Sequence, residues 1–124
     1  MSCHSSQILI VEDEERLAAF IDKGLTKQGF TTAIAEDGEK ALRIAREDGF
    51  DLMLLDLGLP VVNGWGVLKE LRSQGEVRPI IIVTACKDEQ ERIFALRSGA
   101  TDYITKPFRF KDLLECIQTH LTGS

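Results

Sequence analysis

Several features that would place a chain quickly are scarce in these 124 residues. No apolar run is long. Runs such as Ile80-Ile81-Ile82-Val83 are strand-sized, and none comes near the roughly 18 residues of a membrane span. There are only 3 cysteines, Cys3, Cys86 and Cys116, odd in number and scattered. They exclude a disulfide framework and point to a reducing, cytoplasmic setting. No Cys/His ligand spacing stands out, which argues against a structural zinc site. A basic excess is missing too: 15 Lys+Arg face 20 Asp+Glu, for a formal net charge of −5. That balance argues against direct nucleic-acid binding by this domain. The start, Met1 to Ser6, has neither a basic region nor an apolar stretch, so no signal peptide is expected. Low-complexity segments, linkers and internal repeats are also missing.

What is present describes one folded domain over 1–124. Hydrophobic residues make up 44% and charged residues 28%, both ordinary for a globular chain. The length suffices for a core without staples. Short apolar runs alternate five times with amphipathic stretches. Strands are expected at Gln7–Glu12, Phe30–Ala35, Asp51–Asp56, Pro79–Thr84 and Thr101–Thr105. The more polar second strand reads as an edge. Helices are expected from Glu14 to about Gln28, around Ala41-Leu42-Ala45, through Trp65, Leu68 and Leu71, over Asp88–Ser98, and from Phe110 to Leu121. Gly29, Gly49, Gly75 and Gly99 follow the first four. Strands that are apolar on both faces belong in a parallel sheet covered by helices on both sides. The expected fold class is therefore α/β, a doubly wound five-stranded parallel sheet.

Sites in open α/β sheets form at the carboxyl ends of the strands. Strand one ends in Glu12-Asp13, strand three in Asp56, strand four in Thr84, and Lys106-Pro107 follows strand five. If these strands are neighbours, three carboxylates, a hydroxyl and an ammonium converge. Singly, each has an ordinary reading: Asp13 as a helix cap, Thr84 as a plain strand residue, Lys106 as a solvated charge. Their convergence is what ordinary readings do not account for. Crowded carboxylates repel one another unless a cation sits among them. A hard divalent cation with oxygen ligands, above all Mg²⁺, fits, and with Lys106 it brings the formal charge to zero.

These residues resemble the receiver domain of bacterial-type two-component response regulators. The matching segments are Ile8 to Glu14, the Asp56-x-x-x-Pro60-x-x-x-Gly64 spacing, Ile82-Val83-Thr84-Ala85, Gly99-Ala100 and Asp102 to Phe108. The resemblance implies a flavodoxin-like strand order 2-1-3-4-5 with five helices. It implies a phosphorylation-controlled signalling switch, not an enzyme, fed by a histidine kinase or phosphotransfer protein. Asp56 corresponds to the phosphoacceptor. Glu12, Asp13, Asp56 and the Gly58 carbonyl correspond to the Mg²⁺ ligands, and Thr84 and Lys106 to the catalytic partners of the phosphoryl oxygens. The Lys106-Pro107 bond is expected to be cis. Tyr103 corresponds to the switch aromatic, which swings inward as Thr84 moves, although a half-buried strand tyrosine is its plain alternative. The surface of helix 4, strand 5 and helix 5 is then expected to change. Kinase specificity is expected on the first helix, including Arg16, Leu17 and Phe20.

Two positions depart from the pattern. Gly58 and Cys86 overhang the phosphoryl site in this family, and neither carries a long polar arm here. A long-lived acyl phosphate is expected. The Asp102–Phe108 run is closest to the winged-helix transcription-factor subfamily, which implies a possible homodimer through helix 4, strand 5 and helix 5. The arginine usual in that interface falls at Cys116. A stand-alone receiver and a receiver excised from a DNA-binding regulator are both compatible with the sequence, as is output through a downstream effector. A flavin carrier would need a Ser/Thr/Gly-rich phosphate loop where Glu12-Asp13-Glu14-Glu15 stands. A haloacid-dehalogenase-like phosphatase would need an Asp-x-Asp motif where Asp56-Leu57-Gly58 stands.

Overall fold

The structure, a computed structural model, describes residues 6–122. Cys3 and Gly123-Ser124 lie outside the described residues. The chain alternates strictly: β1 (Gln7–Val11), α1 (Glu15–Lys27), β2 (Thr31–Ala35), α2 (Gly38–Glu47), β3 (Leu52–Leu55), α3 (Gly64–Ser73), β4 (Ile80–Thr84), α4 (Glu89–Arg97), β5 (Asp102–Thr105) and α5 (Phe110–Thr122). The strands form one parallel sheet in the order β2-β1-β3-β4-β5. The expected strands are each one residue longer at one or both ends than β1 to β5. Glu12 and Asp56 leave the ladder just where their polar side chains begin the site.

The alternation of side chains along each strand builds two cores. Leu9, Val11, Met53, Leu55, Ile80 and Ile82 face α2, α3 and α4, meeting Ala41, Val67, Leu68, Leu71 and Ala95. Ile8, Ile10, Leu52, Leu54, Ile81 and Val83 face α1 and α5, meeting Ala18, Ile21, Leu25, Leu113 and Ile117. Full burial of one such aliphatic side chain is worth about 1.5–3 kcal/mol. A one-residue register slip would exchange the two sets, so the register is firmly held. Asp37, Asn63 and Asp88 cap α2, α3 and α4, their side chains accepting from the N–H groups of Lys40, Gly66 and Gln90 at 2.8, 3.0 and 3.0 Å.

Asp13 does not cap α1. The capping position is Glu14, which makes no side-chain cap bond, so Asp13 stays available to the site. Gly29 and Gly99 take φ of 95° and 115° at the ends of α1 and α4, where a side chain would be strained.

The chain runs from β1 outward to β2, then back across β1 to β3. This reversal opens a crevice at the carboxyl ends of β1 and β3. Val11 pairs with Leu55, so Glu12 and Asp56 emerge side by side. Thr84 pairs with Thr105, and the Lys106 N–H donates to the Thr84 carbonyl at 2.8 Å, so Lys106 emerges beside Thr84.

Gly64 holds the loop after β3 in place. A Cβ there would lie 2.3 Å from the Asp56 carbonyl oxygen and 2.5 Å from the Leu57 Cα. Both are backbone atoms that cannot swing aside. A Cβ on Gly58 would meet nothing within 4 Å. Gly64→Ala is therefore expected to cost about 2–3 kcal/mol in urea denaturation. Gly58→Ala is expected to stay within about 0.5 kcal/mol of the parent. Equal stabilities for the two variants would contradict this packing.

Candidate functional site

The polar residues singled out at the strand ends are brought together. Glu12, Asp56 and Thr84 are the buried polar side chains of the core, at 3%, 8% and 7% exposure. Asp13 sits beside them and is exposed. One carboxylate oxygen from each of Glu12, Asp13 and Asp56 lies within 4.8 Å of the others. Lys106 reaches in from the loop after β5. Its Nζ stands 3.0 Å from Glu12 Oε1, 3.7 Å from Glu14 Oε2 and 3.8 Å from Asp56 Oδ2. The Lys106-Pro107 peptide is cis.

Each side chain is also held locally. The Asp56 N–H donates to the Val11 carbonyl at 3.0 Å, which prolongs the β1–β3 ladder. Asp56 Oδ1 accepts from the Gly58 N–H at 3.3 Å. Glu12 Oε2 accepts from the Glu14 N–H at 3.2 Å. Thr84 Oγ1 accepts from the Cys86 N–H at 3.2 Å.

The electrostatics follow from burial and crowding. Burial lifts the Glu12 carboxyl above its ordinary value; Asp56 adds to this, and Lys106 and the Glu14 N–H offset only part of it. Burial also works against the Lys106 ammonium. Its hydrogen bond and charge contact with Glu12, then Asp56 and Glu14, outweigh that and hold its pKa above the ordinary lysine value. Lys106 is thus a fixed positive charge at the mouth of an acidic pocket. Three convergent carboxylates form a hard, all-oxygen donor set, which suits Mg²⁺ better than a softer, thiol-seeking metal.

Tyr103 lies on β5 with its ring inward, at 9% exposure. Its hydroxyl donates within a contact of 2.8 Å to Glu91 Oε1 and stands 3.1 Å from the Cys86 carbonyl. Burial first, then Glu91, pushes the Tyr103 pKa well above its ordinary value, so the hydroxyl keeps its proton. Glu91, on α4, did not stand out in the sequence, because nothing marks a surface-helix glutamate as the partner of a strand tyrosine.

His120 escaped the sequence reading, and Cys116 was read only as the place of a missing arginine. Cys116 and His120 on α5 both approach Asp102. Burial opposes ionisation of Asp102, but His120, the Tyr103 N–H and Cys116 outweigh it and hold the carboxyl below its ordinary value. Burial, reinforced by Asp102, pushes the Cys116 thiol up to about 12. The spacing Cys116-x-x-x-His120 was the available signal, but without Asp102 beside it the pair reads as plain helix surface.

A doubly wound sheet with an acidic cluster, a threonine and a lysine at its switch point defines a phosphoacceptor signalling domain. The chain belongs to the response regulator receiver domain family, whose sequence model matches residues 8–118. It is 40% identical over 115 residues to the transcriptional regulatory protein CusR of Escherichia coli K12, covering 93% of this chain and 51% of that protein. The chain thus spans about half the length of the curated relatives it matches. The receiver domain of the Francisella response regulator 1452 superposes with a TM-score of 0.93 at 30% identity, over 96% of this chain and 98% of that one. The receiver domain of the sensor histidine kinase PA1611 from Pseudomonas aeruginosa PAO1 superposes with a TM-score of 0.87 at 32% identity, over 98% and 100%. That structure has a magnesium ion coordinated in its active-site cleft. No helix among the described residues is long and apolar enough to cross a membrane.

The inward Tyr103 is held through one hydroxyl. Tyr103→Phe is expected to lose about 1 kcal/mol in thermal or urea denaturation. Glu91→Gln keeps an acceptor and is expected to lose less. A Tyr103→Phe variant as stable as the parent would show that the hydroxyl contacts hold nothing.

Proposed function

We propose that Asp56 accepts a phosphoryl group from the phosphohistidine of a partner kinase or phosphotransfer protein. The observation that carries this is the buried Asp56 carboxylate with Lys106 3.8 Å away, Thr84 at the end of the neighbouring strand β4, and two more carboxylates within metal-sharing distance. Glu12, Asp13, Asp56 and the Gly58 carbonyl would hold Mg²⁺. When bound, the ion neutralises carboxylate charge that otherwise repels an incoming phosphoryl group.

The chain's own residues supply the rest. An Asp56 oxygen bonds to phosphorus as the bond from phosphorus to the kinase histidine nitrogen breaks. Charge builds on the equatorial phosphoryl oxygens, and the Lys106 ammonium is already fixed against it. The Thr84 hydroxyl, free to turn its proton away from the Cys86 N–H, donates to a phosphoryl oxygen. The product is an acyl phosphate on Asp56. Gly58 and Cys86 extend no polar arm over it, which favours a long lifetime.

The bound phosphoryl group acts as a ligand that prefers one packing of the domain. Thr84 and Tyr103 form the switch, the inward ring being one member of the equilibrium. The α4–β5–α5 face is its output, directed to an effector, to an output domain or to a second copy in a homodimer. Exposed Ile93 on α4 supports that reading, whereas Phe94 turns toward Trp65 on α3. Asp102 would have to leave His120 and Cys116 before it could pair with a basic residue of a second copy. The kinase would dock on the groove lined by Leu17, Phe20, Ala85, Pro107 and Phe108, which opens beside Lys106. The free Cys86 and Cys116 support a cytoplasmic location. The domain is a switch that assists its own phosphorylation and dephosphorylation, with no other catalytic activity.

Incubation with acetyl phosphate and Mg²⁺, followed by intact-mass analysis, tests this. The parent is expected to gain one phosphoryl group, Asp56→Ala none, and EDTA to abolish the gain. An adduct that survives Asp56→Ala would overturn the assignment. The metal reading has its own check. Mg²⁺ is expected to raise the melting temperature of the parent in a concentration-dependent way. Asp13→Asn is expected to flatten that dependence, and an unchanged dependence would remove Asp13 from the ligand set.

A further inference from the structure

A second group of metal-ligating side chains converges well away from the strand-end pocket. Cys116 and His120 stand four residues apart on α5, so they share one face of that helix. The face lies over Asp102 at the start of β5. Asp102 Oδ1 accepts from the Tyr103 N–H at 2.8 Å, which fixes the carboxylate plane. Asp102 Oδ2 is thereby turned toward α5, 3.3 Å from Cys116 Sγ and 2.8 Å from His120 Nε2. All three ligand atoms lie within 4.8 Å of one another, and all three residues are half-buried.

The chemistry of this trio differs from that of the acidic pocket. A thiolate, a neutral imidazole and a carboxylate suit a borderline, four-coordinate divalent ion rather than Mg²⁺. Zinc-class bonds of about 2.0–2.3 Å at tetrahedral angles need ligand atoms roughly 3.3–3.5 Å apart. The Cys116 contact already has that span, and the His120 contact needs to open by only a fraction of an ångström. The charges also balance: thiolate and carboxylate offset a dication while His120 stays neutral. The hydrogen bond from the Tyr103 N–H is the kind of outer contact that orients a metal-bound carboxylate.

We propose that Asp102, Cys116 and His120 form a zinc-class metal site with three protein ligands and a fourth position open to water. On binding, the ion takes the place of the Cys116 thiol proton, which passes to solvent. The ion ties α5 to β5 on the α4–β5–α5 face. This site is independent of the phosphoacceptor reading and stands or falls without it.

Cobalt(II) serves as the probe, added to the full chain under reducing, anaerobic conditions with Mg²⁺ in excess to occupy the acidic pocket. One equivalent is expected to develop thiolate-to-cobalt charge-transfer absorption and the intense visible bands of a tetrahedral ion, both bleached by Zn²⁺. Cys116→Ser is expected to abolish the charge-transfer band, and His120→Ala to weaken binding about tenfold or more. A variant with Cys3→Ser and Cys86→Ser, and separately Asp13→Asn, is expected to keep the full spectrum. Far-UV circular dichroism and a cooperative thermal transition in the Cys116→Ser and His120→Ala variants check that each is folded. If Cys116→Ser does not fold, His120→Ala alone decides. No charge-transfer band, a band that survives Cys116→Ser, or affinity unchanged in His120→Ala would each leave a hydrogen-bonded triad without an ion and overturn the proposal.

Discussion

The contact between Lys106 and Glu12, 3.0 Å long and close to Asp56, is the constraint on which the site depends. It joins the ends of β5 and β1 across the two strands between them. Without a cation there, two buried carboxylates would face each other at the rim of an apolar sheet, which is costly. The surrounding structure serves to place that one ammonium. The Lys106 N–H is bonded to the Thr84 carbonyl, the cis bond to Pro107 follows, and the loop then enters α5. A charge held in this way needs little rearrangement when more negative charge arrives, which is the condition for electrostatic stabilisation of phosphoryl transfer.

A second line of contacts leads from that pocket to the surface. Thr84 Oγ1 accepts from the Cys86 N–H, and the Cys86 carbonyl meets the Tyr103 hydroxyl, which also meets Glu91 on α4. Two residues later on α4 stands the exposed Ile93. If Thr84 turns toward a phosphoryl group, the Cys86 segment that braces Tyr103 is the first to feel it. The coupling needs no long rearrangement, only a choice between two sets of hydrogen bonds for a few side chains.

Much of this was legible in the sequence, for identifiable reasons. Short runs apolar on both faces, such as Gln7–Val11, interrupted by amphipathic helices closed with glycine, gave the element order. Reading what each strand ends on gave Glu12, Asp13, Asp56, Thr84 and Lys106, because a parallel sheet puts all carboxyl ends on one edge. The unequal burial of Glu12 and Asp13 was not legible, since adjacent residues leaving a strand point to opposite sides and only the packing decides which side is buried. The capping reading of Asp13 failed for the related reason that α1 begins one residue later than a cap there requires. Glu91 and the Asp102–Cys116–His120 group were missed because their partners lie 12 to 18 residues away and meet only through the docking of α4 and α5 on β5.

If the strand-end cluster is a phosphoryl site wired through Tyr103 to the α4–β5–α5 face, a phosphoryl mimic in the pocket is felt on that face. Amide chemical shifts recorded on adding beryllofluoride with Mg²⁺, a phosphoryl mimic that attaches to aspartate, test it most directly. Large changes are expected at Gly58, Thr84, Cys86 and Lys106, continuing through Tyr103 and Glu91 to the rest of α4. Changes confined to the pocket, or none near Asp56, would contradict it.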